Sequence, residues 1–229
     1  MTKFYGTGPG VQTEDGCSVD LYVRLPYSGE LAPAIACISP GSSVLELGCG
    51  AGRGTRALID AGLIVTAVDS SKEMLEHCPT DATLVHGDIS TLELGERFDA
   101  VILPTGLINH VDAGVREAFV QCAARHMKTG GWLFIQRQDP HWLATAVPST
   151  GGRIGDISGA VQSVERAGKT VAMTLRYWTA NEEWTQSFVL LQLEEEDLRR
   201  LLLDAGLSQI QWLDEKKVWL SAQILVAET

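Results

Sequence analysis

The segment from Val44 to Thr55, which reads VLELGCGAGRGT, constrains the fold of this chain more than any other. An apolar run ends in an acidic residue, glycines follow at 48, 50 and 52, and a helical pattern then begins. Glycines let a ligand approach the backbone closely, and the N–H groups at a helix start carry partial positive charge. The segment therefore predicts a strand, a tight turn and a helix that together bind a nucleotide.

A second acidic residue, Asp69, ends the next apolar run. A carboxylate at the tip of the second strand can accept hydrogen bonds from both hydroxyls of a ribose. The dinucleotide fingerprint G-x-G-x-x-G does not fit, because its sixth position is Arg53 when counted from Gly48 and Thr55 when counted from Gly50. This departure counts against a dinucleotide ligand.

Strand-like and helix-like segments alternate through the middle of the chain, which predicts βαβ units in a parallel sheet with helices on both faces. Right-handed crossovers place the carboxyl ends of the strands at one edge, and ligands bind along that edge. Glu46, Asp69, Asp88 and Pro104 all fall there. The expected strands are residues 43–48, 63–68, 82–86, 98–103 and 131–137, and the expected helices are residues 53–62, 71–77 and 112–127.

The pattern changes on both sides of this region. Alternating segments joined by short turns predict antiparallel hairpins, and an amphipathic run that ends at Gly206 predicts a helix. The expected segments are an irregular stretch at 1–27 with a helical turn near 19–23, a helix at 30–38, a loop at 139–160, hairpin strands at 161–167, 170–179 and 184–193, a helix at 194–205, and strands at 207–214 and 217–227.

The order ELGCGAG at residues 46–52 resembles the first motif of the class I S-adenosylmethionine (SAM) methyltransferases. Four later segments resemble further motifs of that family in the same order, namely residues 65–70, 85–89, 98–104 and 127–133. The resemblance implies a doubly wound, seven-stranded, mostly parallel sheet of the Rossmann-like type, whose last strand is antiparallel. It also implies that SAM is the cofactor.

A single α/β domain is the expectation for 229 residues. The resemblance implies four parts within it. These are an N-terminal lid at 1–42, a SAM-binding core at 43–138, an antiparallel insertion that covers the active site at 139–193, and a helix and hairpin at 194–229 that complete the sheet.

The resemblance also assigns the cofactor residues. Asp69 is expected to bind the ribose, Asp88 to face the adenine amino group and Ile89 to pack on the ring, while Cys49 is a small spacer between glycines. The N-terminal segment, with Tyr22, is expected to fold over the cofactor. The complete expected set is Tyr22, Glu46, Gly48, Cys49, Gly50, Asp69, Ser70, Asp88, Ile89 and Pro104.

Candidate acceptor residues follow the fourth and fifth strands. His110 is the expected catalytic residue, because histidine can accept a proton near neutral pH; a hydrogen-bonded loop or cap histidine is the alternative. Charged groups beside a tryptophan after the fifth strand predict a recognition rim, for which solvated loop residues are the alternative. The expected substrate-binding residues are Asn109, Arg137, Asp139, His141, Trp142 and Tyr177.

Charge and cysteine usage exclude several classes of function. A net charge of −11 gives no electrostatic reason to approach nucleic acid or an anionic membrane. Five scattered cysteines without C-x-x-C spacing predict neither a metal site nor a disulfide framework. No signal-peptide pattern and no run of 18 apolar residues occurs, so a soluble, cytoplasmic protein is expected. An oligomer is possible, but the sequence does not indicate one.

The expected activity is SAM-dependent methyl transfer to a nitrogen or oxygen atom of a small molecule by in-line displacement. DNA methyltransferases of the family carry [DN]-P-P-[YFW] or Pro-Cys after the fourth strand, whereas this chain has Pro104-Thr105-Gly106-Leu107. Two alternatives stay open at this point. One is an NAD-dependent oxidoreductase on the same fold, and the other is a non-catalytic module that binds SAM.

Overall fold

The computed structural model describes residues 4–224. These residues form two compact units, one made of residues 29–140 and 193–224 (the core unit) and one made of residues 4–28 and 141–192 (the insertion unit). In chain order the strands are β1 (Tyr5–Thr7), β2 (Ser43–Leu47), β3 (Ile64–Asp69), β4 (Thr83–His86), β5 (Phe98–Leu103), β6 (Met127–Gln136), β7 (Gly152–Ile154), β8 (Ile157–Ala167), β9 (Thr170–Trp178), β10 (Glu183–Leu191), β11 (Leu207–Trp212) and β12 (Trp219–Ile224). The helices are α1 (Val19–Arg24), α2 (Ala32–Ile35), α3 (Arg53–Asp60), α4 (Lys72–Leu75), α5 (Ala113–Arg125), α6 (Pro140–Thr145) and α7 (Glu195–Asp204).

The core unit is built on a seven-stranded sheet in the order β11-β12-β6-β5-β2-β3-β4. The strands from β6 to β4 pair in parallel, and β12 runs antiparallel to both of its neighbours. Strands buried on both faces need continuous apolar runs, as in β5, where four consecutive residues from Ala100 are fully buried. The predicted fold class, including the antiparallel last strand, is confirmed.

The insertion unit contains a five-stranded antiparallel sheet in the order β1-β10-β9-β8-β7. The three predicted hairpin segments correspond to β8, β9 and β10. Tyr5 pairs with Ser187 of β10, so the expectation of an irregular N-terminal stretch is wrong for residues 5–7. A three-residue edge strand has too little periodicity of its own to be recognised, because its pairing comes from the partner strand.

The expected loop at 139–160 is also wrong in part, because it contains α6 and β7. Burial of two residues explains the helix: Leu143 and Ala146 pack with Val171 and Met173 of β9. The expected helix at 30–38 shortens to α2, and the last expected strand, 217–227, corresponds to β12, with its end outside the described residues. Among residues 4–224, no helix has both the length and the apolar composition needed to cross a bilayer.

Candidate active site

The glycine turn between β2 and α3 has a left-handed backbone at Gly48, Gly50 and Gly52, with φ of +78°, +55° and +81°. Only glycine adopts these angles without strain. The N–H groups of Gly48 and Cys49 both donate to Val68 O, at 2.8 and 2.9 Å, and so tie the turn to the end of β3. The turn is therefore held against the strand that carries Asp69.

The space around the three glycines differs. A Cβ on Gly48 would lie 2.6 Å from Leu107 Cδ1, and one on Gly52 would lie 2.9 Å from Cys78 Cα. A Cβ on Gly50 would meet no heavy atom of the described structure within 4 Å. Gly50 is thus where the turn leaves room for a ligand to approach the backbone.

Asp69 ends β3 beside this open position. Its Oδ2 accepts a hydrogen bond from Gly50 N at 2.7 Å, and its Oδ1 accepts one from Ser71 N at 2.9 Å. Two backbone bonds hold the carboxylate in one orientation next to the turn. A fixed carboxylate next to an open glycine fits an adenosine, whose ribose offers two hydroxyl donors.

Glu46 lies beneath the turn and is only 2% exposed. Thr55 Oγ1 donates to its Oε2 at 2.6 Å, which joins β2 to the first turn of α3. Burial raises the pKa of Glu46 from 4.5 to about 7; the Thr55 bond lowers it and the charge of Asp69 raises it. Glu46 therefore supports the turn from inside, and its predicted contact with the cofactor stays a prediction.

Three further predicted cofactor residues lie near the ends of β3 and β4. Asp88 is exposed, and its Oδ1 accepts from Ser90 N at 2.7 Å to cap a short 3-10 helix at Ile89–Thr91. Ile89 is buried, and its Cδ1 lies 3.8 Å from where a Gly48 Cβ would be. Ser70 is exposed, and its carbonyl oxygen is 2.9 Å from His86 Nε2. Of the three, Ile89 lies beside the glycine turn, and the cofactor roles of all three stay predictions.

Cys49 is buried within the turn, as a small spacer would be. Its Sγ lies 3.8 Å from Cys78 Sγ, and the thiol of Cys78 donates to Gly50 O at 3.2 Å. Hydrogen bonding to Cys78 and burial raise the pKa of the Cys49 thiol far above its usual value. A thiol with so high a pKa is a poor nucleophile at neutral pH.

The loop after β5 carries the predicted acceptor residues Asn109 and His110. Asn109 is 1% exposed, and its Oδ1 accepts from Gln138 N at 2.7 Å. His110 is half-buried, and its Nδ1 accepts from Asp112 N at 3.1 Å. A neutral histidine that accepts at Nδ1 carries its proton on Nε2. In this geometry His110 presents a donor at Nε2, and its catalytic role stays a prediction.

Arg137 does not belong to an exposed rim, so that part of the sequence prediction is wrong. It is 3% exposed, its Nε donates to Lys217 O at 2.7 Å and its Nη1 donates to Leu193 O at 2.8 Å. Its guanidinium stacks 4.5 Å above the ring of Trp212. These contacts make Arg137 a clamp that joins the end of β6 to the C-terminal segments.

The remaining candidates lie in different surroundings, and their roles stay predictions. In the core unit Asp139 is half-buried. In the insertion unit His141 is exposed, Trp142 packs on the Leu143 cluster, and Tyr177 packs with Tyr22 around Trp184. Tyr22 donates to Gln186 Oε1 at 3.1 Å, and burial raises its pKa well above 10.

Sequence reasoning missed the contacts that Gln136 and Gln138 make with Thr105. Their side chains contact the backbone of Thr105, which has a left-handed φ of +58°. Glutamine at a strand end gives no pattern that would predict such a role, because the interaction depends on which neighbouring loop the fold brings into reach.

Comparison with known proteins shows which proteins this chain resembles. Residues 44–131 match a protein family described as a methyltransferase domain. The chain is 28% identical, over 79% of its length and 76% of the relative's, to a dTDP-3-amino-3,6-dideoxy-alpha-D-glucopyranose N,N-dimethyltransferase of Streptomyces fradiae. Residues 44–131 are thus those of a methyltransferase domain. The predicted resemblance to SAM-dependent methyltransferases is confirmed, as are the enzyme class and the cofactor, which favours SAM over NAD.

Two other similar proteins extend this methyltransferase comparison. A cypemycin N-terminal methyltransferase of a Streptomyces species is 36% identical over 44% of this chain, and the match spans 43% of that relative. The crystal structure of Streptomyces venezuelae DesVI superposes with a TM-score of 0.75 at 19% identity, covering 90% of this chain and 96% of that one. At that identity the structural likeness shows the fold alone.

Proposed function

We propose that this methyltransferase transfers the methyl group of SAM to the amino nitrogen of a small molecule, and that the amine is carried by a nucleotide-linked sugar. The observation that carries the proposal is the 28% identity, across 79% of the chain, to an enzyme named as an N,N-dimethyltransferase of a dTDP-amino sugar. A second relative with a similar name, from Streptomyces venezuelae, is 25% identical over 67% of the chain.

The core unit supplies the cofactor half of the site. SAM, when bound, supplies a methyl group that its sulfonium already activates for displacement. Asp69 would accept hydrogen bonds from its ribose, the open side of Gly50 would admit it to the backbone, and Ile89 would offer an apolar surface to its adenine. With the donor already activated, the protein mainly has to align the acceptor and exclude water.

An amine attacks through its lone pair, so the ammonium form must lose a proton first. We propose His110 as the residue that faces this proton. Because its Nδ1 accepts from Asp112 N, proton uptake at that atom requires the ring to give up this bond. His110 can therefore take the proton of the ammonium only in a form in which Nδ1 is released from Asp112 N. Asn109, held by Gln138, lies one residue before it.

The test is a panel of matched acceptors with release of S-adenosylhomocysteine and a mass increase of 14 Da per methyl group as readouts. A dTDP-linked 3-amino sugar is compared with the same sugar bearing a hydroxyl in place of the amine. The proposal expects methylation of the amine alone, once or twice. Methylation of the hydroxyl sugar, or of neither, contradicts it, and the Asp69→Asn variant checks that turnover depends on this site.

A peptide N-terminal amine is the second candidate acceptor, and the 36% identity to the cypemycin enzyme favours it. That match spans less than half of either chain, so it carries less weight for the acceptor side. Adding a short peptide with a free N-terminus, and the same peptide acetylated, to the panel decides between the two amines. Exclusive methylation of the free peptide replaces the sugar proposal.

We further propose that the protein works in the cytoplasm without nucleic acid or membrane partners. All five cysteines are free, including Cys49 and Cys78 with their sulfur atoms 3.8 Å apart, which is typical of a reducing compartment. The net charge of −11 repels phosphate backbones. Cell fractionation and a DNA-binding assay at low salt test both statements.

A further inference from the structure

The loop after β5 begins with a strained turn. Thr105 and Gly106 are both left-handed, with φ of +58° and +72°, and Leu107 N donates to Pro104 O at 3.4 Å, which is the pattern of a type I′ turn. We call residues Pro104–Leu107 the Thr105 turn. A β-branched residue is a rare outlier in this backbone region, and such strain persists only where the surroundings hold it.

Side chains from the end of β6 hold the Thr105 turn. Gln136 Oε1 accepts a hydrogen bond from Thr105 N at 2.8 Å, and Gln138 Nε2 donates to Thr105 O at a longer 3.5 Å. The Gln138 side chain also fills the space beside Gly106, where a Cβ would lie 2.6 Å from Gln138 Nε2. The stronger of the two contacts to Thr105 is therefore the one from Gln136.

The turn leads into the segment that carries the predicted acceptor residues. A 3-10 helix at Leu107–Asn109 follows it directly, and His110 ends that helix. Its far end is fixed separately, because buried Asn109 accepts from Gln138 N. If the Thr105 turn relaxes, the start of this short helix loses its position while Asn109 stays attached to the end of β6.

We propose that Gln136 is a positioning residue, which keeps Thr105 in its left-handed conformation and thereby fixes the start of the short helix that leads to His110. Gln136 acts through the turn and touches no reacting atom. Its importance for turnover rests on the proposed function, whereas its hold on the turn does not.

The test is a double-mutant cycle of wild type, Gln136→Ala, Thr105→Gly and Gln136→Ala/Thr105→Gly. Glycine adopts the left-handed backbone without strain, so the turn should persist in the double variant although Gln136 is gone. Strain of this kind corresponds to roughly a tenfold change in population. We therefore expect Gln136→Ala to lower kcat/KM for the amine by about tenfold, and the double variant to recover to within about threefold of wild type.

Two control variants test whether the loss is specific to the contact between Gln136 and Thr105. Gln136→Glu keeps an oxygen acceptor for Thr105 N and should retain activity. Gln223→Ala is a matched truncation, because Gln223 Nε2 also donates to a backbone oxygen, that of Gly130, at 2.8 Å. Gly130 lies toward the start of β6, whereas Gln136 ends this strand, so Gln223→Ala should leave kcat/KM unchanged. A Gln136→Ala loss that Thr105→Gly does not rescue, or that equals the Gln223→Ala effect, overturns the proposal.

Hydrogen exchange and calorimetry separate this inference from the proposed function. In Gln136→Ala the amides of residues 105–110 should exchange faster, and in the double variant their protection should return; exchange that Gln136→Ala leaves unaltered refutes the positioning role. The dissociation constant for SAM should change by less than about threefold, because Asp69 keeps its bond to Gly50. If wild type methylates no acceptor in the panel, the proposed function fails. The hydrogen-exchange rates of residues 105–110 in wild type, Gln136→Ala and the double variant then decide the role of Gln136 alone.

Discussion

Replacement of Glu46 by glutamine should make the stability of this protein less dependent on pH. Burial raises the pKa of Glu46 from 4.5 to about 7, so folding favours the protonated form. The stability this provides is fully present below pH 4.5 and is lost as the pH rises through about 7. Glutamine cannot ionise, and it keeps an oxygen that accepts from Thr55.

The magnitude follows from the pKa. A rise from 4.5 to about 7, at about 1.4 kcal/mol for each pKa unit, corresponds to about 3 kcal/mol, most of which is lost between about pH 5 and pH 8. Relative to wild type, Glu46→Gln should therefore gain about 2–3 kcal/mol over that interval. In a protein of 229 residues this is a relative gain of roughly 5–10 °C in Tm.

The assay is urea unfolding of both proteins at pH 5, 6, 7 and 8, with the m values compared to check that the unfolding transition is the same. The exposed Glu76 provides the matched control, because Glu76→Gln removes a carboxylate that water already solvates. The reasoning is refuted if the difference between Glu46→Gln and wild type is the same at pH 5 and pH 8.

Three further predictions concern the same region. Asp69→Asn should weaken SAM binding in calorimetry by about 1–3 kcal/mol, because the charged ribose acceptor is lost, and unchanged affinity would place the ribose elsewhere. Gly54→Ala should destabilise the protein by about 1–3 kcal/mol, because its Cβ would lie 2.5 Å from Glu46 Oε1 and 2.7 Å from Leu31 Cδ1. The control is Gly114→Ala, which is also at the second position of a helix and should lower the free energy of unfolding in urea by less. Iodoacetamide at pH 8 should label exposed Cys37 in the native protein. Burial raises the pKa of Cys17 to about 12 and that of Cys122 to about 11, so these two thiols should react only after unfolding. Labelling of either thiol in the native protein, mapped by mass spectrometry, contradicts this burial.

The glycine turn and Asp69 were predictable because their role is local. Gly48 and Gly50 need particular backbone angles, and those angles depend on only a few neighbouring residues. The parallel sheet was predictable for a similar reason, since strands buried on both faces leave unbroken apolar runs such as β5.

The surroundings of Arg137 were not predictable. An arginine after the fifth strand has the same sequence pattern whether it faces solvent or reaches the backbone of Lys217, which is 80 residues later in the chain. The contact of Gln136 with Thr105 is hidden in the same way, because the sequence does not indicate which backbone groups a neighbouring loop leaves to be satisfied.

The position of β12 has a consequence for how the protein is made. It lies inside the sheet, between β6 and β11, so neither neighbour can complete its hydrogen bonds until residues 219–224 have left the ribosome. Until then the nascent chain exposes unpaired strand edges, of the kind that attract other chains. Chaperone occupancy of the nascent chain until Trp219 has emerged, together with aggregation of chains cut before Trp219, is the behaviour to expect of a sheet whose internal strand β12 follows both of its neighbours in the sequence.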